Sequence, residues 1–108
     1  MPSGDVVADK LVKYTARKAS GLPVDDVDLQ RIVGSSRYIV MRKVIGIISS
    51  SIVIRKKGLI RCGICGKGTF TRRGFYLHLI RVHYNDILDL INRKYDELSK
   101  QYREFNFY

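Results

Sequence analysis

Apolar residues recur at helical spacing over the first third of the chain. They return every three or four positions between residues 6 and 20, with acidic residues near the start of the segment and Gly21 just after it. Acidic residues favour the start of a helix and glycine favours its end, so the pattern predicts a helix from about 6 to 20. A short second helix follows, which Asp25 or Asp26 caps and which ends near Gly34.

The apolar stretch 38–54 supports two interpretations. Eleven of its 17 residues are apolar and many are β-branched, which suits buried strands as well as a helix. The preferred interpretation is a helix that begins after a turn at 34–36, although Ile39 and Ile45 then lie on its exposed side. The residues that this helix is expected to bury are Val40, Val44 and Ile47. Those expected to face outward near its start are Arg37, Tyr38, Met41 and Arg42.

Two short β-branched runs flank Lys56, Lys57 and Gly58. Strand-forming residues on both sides of a glycine-containing turn are typical of a β-hairpin. The sequence therefore predicts a hairpin here, and the two lysines form either a functional basic tip or an ordinary solvated turn.

The C-terminal segment carries a heptad pattern. Its apolar positions alternate in steps of four and three at Tyr84, Leu88, Ile91, Tyr95, Leu98, Tyr102 and Phe105. Such a seam fits either a helix that pairs with a second copy or an amphipathic helix that folds back onto the N-terminal core. We favour a homodimer, with an interface formed by Leu88, Ile91, Tyr95, Leu98, Tyr102 and Phe105.

Positive charge is concentrated in the middle of the chain. The net charge of the 108 residues is +10, and residues 55–83 hold eight basic and no acidic side chains. This concentration indicates an anionic partner, nucleic acid before a membrane surface. Charged residues and serines interrupt the longest apolar run, so no membrane span is expected, and the N-terminus does not resemble a secretory signal. We expect an intracellular protein.

The two cysteines and two histidines of the chain all fall within one 22-residue string, CGICGKGTFTRRGFYLHLIRVH. Cys62 and Cys65 are separated by two residues, twelve more precede His78, and four more precede His83. Two thiolates and two imidazoles at this spacing can supply the tetrahedral ligand set of Zn²⁺, and two cysteines are too few for a disulfide scaffold. The five-residue step between the histidines requires a local change at the helix end.

This string resembles a single Cys2His2 zinc finger. In that family the helix positions that contact bases correspond here to Thr71, Gly74 and Leu77. Gly74 has no side chain and Leu77 offers no hydrogen bond to a base, whereas Arg72 and Arg73 suit phosphate contacts. The aromatic that follows the second cysteine stands one position late. The resemblance therefore implies a module that folds around zinc and carries positive charge on its surface.

Residues 6–61 have a weaker resemblance to winged-helix regulators with a helix-turn-helix. That family places its third helix in the major groove and a basic hairpin against the DNA backbone or minor groove. Compact, isoleucine-rich basic chains with one finger are also similar to regulators of archaeal viruses and plasmids. The expected nucleic-acid contacts are Arg37, Tyr38, Met41, Arg42, Lys43, Arg55, Lys56, Lys57, Arg61, Lys67, Thr71, Arg72 and Arg73.

These observations predict an α+β, mostly helical fold. We expect a winged-helix-like domain over 1–58, a ββα finger over 59–84 and a C-terminal helix over 85–108. The favoured function is zinc-dependent binding of double-stranded DNA, as a small transcription regulator. RNA binding on the ribosome and a zinc-stabilised protein-interaction module are the alternatives. No enzyme is expected, because the sequence has no phosphate-binding glycine loop and no cysteine or histidine apart from the four expected metal ligands.

Overall fold

The computed structural model describes residues 6–107, with side chains up to residue 101. The elements follow in the order α1 (Val6–Ser20), α2 (Asp26–Val33), α3 (Ser35–Ser51), β1 (Val53–Lys56), β2 (Leu59–Cys62), β3 (Gly68–Phe70), α4 (Arg72–Val82) and α5 (Tyr84–Phe107). The prediction of an α+β, mostly helical fold is confirmed. Within the described residues, none of the helices has the length and apolar character needed to cross a membrane.

The boundaries of the first two helices follow from local chemistry. The Asp25 side chain accepts a hydrogen bond of 2.9 Å from the backbone N–H of Val27, which satisfies one free donor at the start of α2. Gly34 ends α2 with a φ of 85°, a conformation that side-chain-bearing residues rarely adopt. The expected turn at 34–36 is too long, because α3 already begins at Ser35 and Gly34 alone separates the helices.

Helix α3 is confirmed as a helix, but its buried face differs from the expected one. Ile47 is 47% exposed, whereas Met41 and Ile45 are each only 1% exposed. The prediction that Met41 faces outward is therefore wrong, as is the prediction that Ile47 is buried. Because α3 carries apolar residues around most of its circumference, periodicity alone does not determine its rotation. Packing against α1, α2 and α5 selects the face that includes Met41.

The three strands form one antiparallel sheet in the order β1-β2-β3. Lys57 and Gly58, with φ of 53° and 77°, make the two-residue turn of the β1–β2 hairpin. Strand β2 then pairs with β3, so the predicted hairpin and the predicted finger share a strand. The cationic hairpin and the cysteine-bearing segment are consequently parts of the same sheet.

Helix α5 folds back onto the rest of the chain. Ile87 and Ile91 are fully buried in a single core that also contains residues of α1, α3 and α4. The prediction of a dimer interface is wrong for Ile91, because this residue is already covered within one chain. Leu88, Tyr95 and Leu98 are half-buried against the same core. The side chains of Tyr102 and Phe105, the remaining two predicted interface residues, lie outside the described part.

Candidate metal centre and cationic surface

Four potential metal ligands converge where the sheet meets α4. One ligand atom from each of Cys62, Cys65, His78 and His83 lies within 4.8 Å of the others. Cys62 ends β2, Cys65 lies in the β2–β3 loop, and His78 lies on α4. His83 is the C-cap of α4, with φ of −117° and ψ of 21°. This departure from helical geometry lets the second histidine reach the site despite the five-residue step.

The cysteine loop is held by backbone hydrogen bonds and by close packing. The N–H of Gly66 donates to the carbonyl of Cys62 at 2.9 Å, and the N–H of Gly63 donates to the carbonyl of Ile52 at 2.8 Å. A Cβ on Gly63 would lie 2.8 Å from the carbonyl carbon of Ile52, which is closer than any real Cβ contact. Glycine is therefore required where the loop docks against the end of α3.

The two sulfur atoms lie in different environments. Hydrogen bonding from the backbone of Lys67 is the largest cause that lowers the pKa of the Cys65 thiol, to about 6, with His83 and His78 contributing. Burial raises the pKa of the Cys62 thiol, although the backbone N–H groups of Cys65 and Ile64 oppose the shift. The loop thus directs amide groups at both sulfurs, as is suitable for holding them as thiolates.

His83 is oriented by a carboxylate. Its Nδ1 lies 2.8 Å from Oδ2 of Asp86, so Nδ1 carries the proton that the carboxylate accepts. Its Nε2 is buried and has no hydrogen-bond partner among the described residues. Burial lowers the pKa of His83, but the neighbouring Asp86 and Cys65 outweigh it, so the pKa is raised overall. In the neutral ring, with the proton on Nδ1, the lone pair of Nε2 is available for a metal ion.

An aromatic cluster supports the other histidine. The ring centroids of Phe70 and Phe75 are 5.7 Å apart, and the His78 ring stacks on Phe70 at 4.7 Å. This packing directs Nε2 of His78 towards Cys65 Sγ, at 3.4 Å. The small core between sheet and helix thus forms although the aromatic of β3 stands one position late.

The four residues fit a metal ion. Metal–sulfur and metal–nitrogen bonds of about 2.3 and 2.0 Å place tetrahedral ligand atoms roughly 3.3 to 3.8 Å apart. Because the ligand atoms lie within 4.8 Å of one another, the widest pair has to approach by about 1 to 1.5 Å when a metal ion binds. The unpartnered, buried Nε2 of His83 is an independent indication, since buried polar atoms are normally satisfied.

The cations of the middle segment all lie at the surface. Eight basic side chains are exposed: Arg55, Lys56, Lys57, Arg61, Lys67, Arg72, Arg73 and Arg81. None of them forms an ion pair within residues 6–101, where the four pairs seen involve other cations. The segment therefore presents a positive charge that no carboxylate of the described side chains neutralises.

The predicted contacts on α3 do not share one surface. Tyr38, Arg42 and Lys43 line a groove of about 380 Å³ beside the C-terminal half of α1. Arg37 instead lines a cleft against α5. Arg42 also lies 3.6 Å from Asp26, at its Nε, which draws its guanidinium towards α2. Met41, as described above, is buried.

The start of α4 has a structural role as well as a charge. Thr71 is its N-cap, because the hydroxyl oxygen accepts a hydrogen bond from the N–H of Gly74 at 3.0 Å. The helix packs against α1, and Tyr76 and Ile80 contact the common core. Two of the three helix positions that correspond to base-contacting positions in Cys2His2 zinc fingers, Gly74 and Leu77, are half-buried.

Sequence reasoning missed Asp86 as a functional residue. A carboxylate three residues after a predicted histidine ligand, at a helix start, is a signal that could have identified it. No family model, curated protein or solved structure shows a significant match to this chain. Any assignment of function therefore depends on the geometry and the charge described above.

Proposed function

We propose that this protein binds double-stranded DNA in a zinc-dependent manner and acts as a small transcription regulator. Zn²⁺ is favoured because two thiolates with two imidazoles form a ligand set typical of structural zinc. Four protein ligands leave no coordination position for water, which argues against a catalytic role. When bound, the ion supplies a cross-link between the β2–β3 loop and the end of α4.

The observation that carries the proposal is the set of eight exposed cations between residues 55 and 83, none of which forms an ion pair with another described side chain. Lys and Arg that stay unpaired on one segment attract polyanions and release condensed counterions from DNA when they contact phosphates. The site thus favours a nucleic acid over an uncharged or cationic partner.

The exposed side of α3 favours duplex DNA over RNA. Arg42 and Lys43 are exposed beside Ile39, which is 53% exposed, and Ile47 follows along the same helix. The major groove of B-DNA admits an α-helix, whereas that of A-form RNA is too narrow for side chains to read. Isoleucines in this position suit contact with thymine methyl groups.

Salt-dependent binding tests the proposal. If about half of the eight cations contact phosphates, the slope of log K against log[salt] is about −3.6, and affinity falls roughly 150-fold between 50 and 200 mM salt. Fluorescence anisotropy with labelled duplex DNA measures this loss, with structured RNA as competitor. Absence of duplex binding at 50 mM salt, or displacement by RNA at lower concentration than by duplex DNA, would overturn the proposal.

A further inference from the structure

Two arginines from distant parts of the sequence meet above the end of α1. A Cβ built on Gly21 would lie 3.1 Å from Nη2 of Arg55 and 3.6 Å from Nε of Arg72. Because both nitrogens lie so close to one point, they are at most 6.7 Å apart, the sum of those distances. Arg55 belongs to β1 and Arg72 to the first turn of α4, so the fold brings hairpin and finger together here.

Arg55 is oriented within the protein. Its Nη2 donates a hydrogen bond of 2.9 Å to the carbonyl oxygen of Ala19, one of the free carbonyls at the end of α1. Arg55 pairs with the buried Ile60 across the hairpin, so its side chain lies on the inner face of the sheet. Lys56, one residue later, lies on the outer face. A guanidinium carries five N–H donors, and the Ala19 carbonyl takes only one.

Among the described side chains, the two guanidinium groups also have no carboxylate that neutralises them. In the part of the chain with described side chains, neither Arg55 nor Arg72 forms an ion pair. Two like charges at this separation repel each other, and an anion between them removes the repulsion. Charge-assisted N–H···O bonds to phosphate span about 2.8 Å each, so one phosphate group with its own width can bridge this distance.

We propose that Arg55 and Arg72 form a single phosphate-binding clamp that holds one backbone phosphate of duplex DNA. The identification of the anion as a DNA phosphate rests on the proposed function, whereas the phosphate-binding site itself is inferred from the geometry of the two arginines. The hairpin and finger then act on DNA as one unit, because the clamp takes one arginine from each.

Inorganic phosphate tests the shared site without DNA. In the zinc-loaded full chain, phosphate titration should shift the side-chain Nε–Hε NMR signals of Arg55 and Arg72 with one common dissociation constant. The signal of Arg73, next along α4, serves as control and should move less. In the Arg72→Gln variant, phosphate should no longer shift the Nε–Hε signal of Arg55. The substitution is a mild one, because the described structure shows no hydrogen bond from the Arg72 side chain. Separate constants, or an unchanged Arg55 response in Arg72→Gln, would overturn the clamp.

Duplex binding tests the assignment of the phosphate. If both arginines hold one phosphate, Arg55→Gln and Arg72→Gln should each weaken duplex binding about tenfold, and the double variant only slightly more. The matched pair Lys56→Gln and Arg73→Gln should show losses that multiply. If the affinity losses of Arg55→Gln and Arg72→Gln multiply in the double variant, the two arginines do not share one phosphate and the clamp is overturned. A joint phosphate response in a wild-type chain that binds no duplex would overturn the proposed function and the DNA assignment, while the phosphate site would stand.

Discussion

Replacing Asp86 should weaken metal binding although Asp86 contacts no metal. The carboxylate holds the Nδ1–H of His83 at 2.8 Å and thereby directs Nε2, on a side chain that is only 6% exposed, into the site. Loss of such a carboxylate partner typically costs 10- to 100-fold in metal affinity, or about 1.4 to 2.7 kcal/mol. Asp86→Asn keeps an oxygen that can accept the hydrogen bond, so its loss should lie near tenfold, and that of Asp86→Ala nearer to 100-fold.

Competition with a chromogenic zinc chelator at neutral pH measures these affinities. Asp89→Asn is the matched control, because Asp89 is an exposed acid on the same helix and should leave the affinity unchanged. Asp86 also lies in the first turn of α5, where a negative charge stabilises the helix. Unfolding of the metal-free variants therefore has to be measured separately. Equal zinc affinities for wild type, Asp86→Ala and Asp89→Asn would refute the role of this carboxylate.

Three further predictions concern the metal, the core and the DNA surface. Because the pKa of Cys62 is raised, its thiol is protonated at neutral pH without metal, so zinc binding should release at least one proton per chain and strengthen with rising pH; the raised pKa of His83 adds to this release. Calorimetry in buffers of different ionisation enthalpy measures the total release, and no release would contradict the prediction. Gly63→Ala should lower the free energy of unfolding in urea by about 1 to 3 kcal/mol, because the added methyl group meets the Ile52 backbone. Gly46→Ala, which has open space around it, should instead stabilise α3 by about 0.5 to 1 kcal/mol. Equal effects of the two substitutions would contradict the close packing of the cysteine loop against the end of α3. If Ile39 and Ile47 contact thymine methyl groups, duplexes with deoxyuridine in place of thymidine should bind about fourfold more weakly for each methyl group lost. Fluorescence anisotropy should show no such difference for the double variant Ile39→Ser, Ile47→Ser. Equal binding of the two duplexes by the wild-type protein would contradict the contact.

Local signals predicted much of the fold. Helix α1 spans the expected residues 6–20, and Asp25 caps α2 as one of the two expected residues. The cysteine and histidine spacing also predicted a cluster that the fold does bring together. Each of these features depends on residues close in sequence, whose chemistry is visible without knowledge of the tertiary packing.

Features that depend on tertiary packing were not predictable in the same way. Met41 and Ile47 exchange their expected positions because α3 has apolar residues on several faces, and only its neighbours determine which face is buried. The seam on α5 fits a partner helix and the chain's own core equally well, and Ile91 lies in the latter. The approach of Arg55 to Arg72 arises from the packing of both segments at the end of α1, which no local pattern records.

Zinc titration of the metal-free chain, followed by duplex binding, tests the central claim most directly. The ligand cluster joins the β2–β3 loop to α4. Under the proposed function, the cations on both sides of the cluster depend on that connection for their arrangement. Binding of labelled duplex at low salt should therefore rise with added zinc and reach a plateau at one equivalent per chain. Full duplex binding by the metal-free chain, unchanged by zinc, would contradict the account.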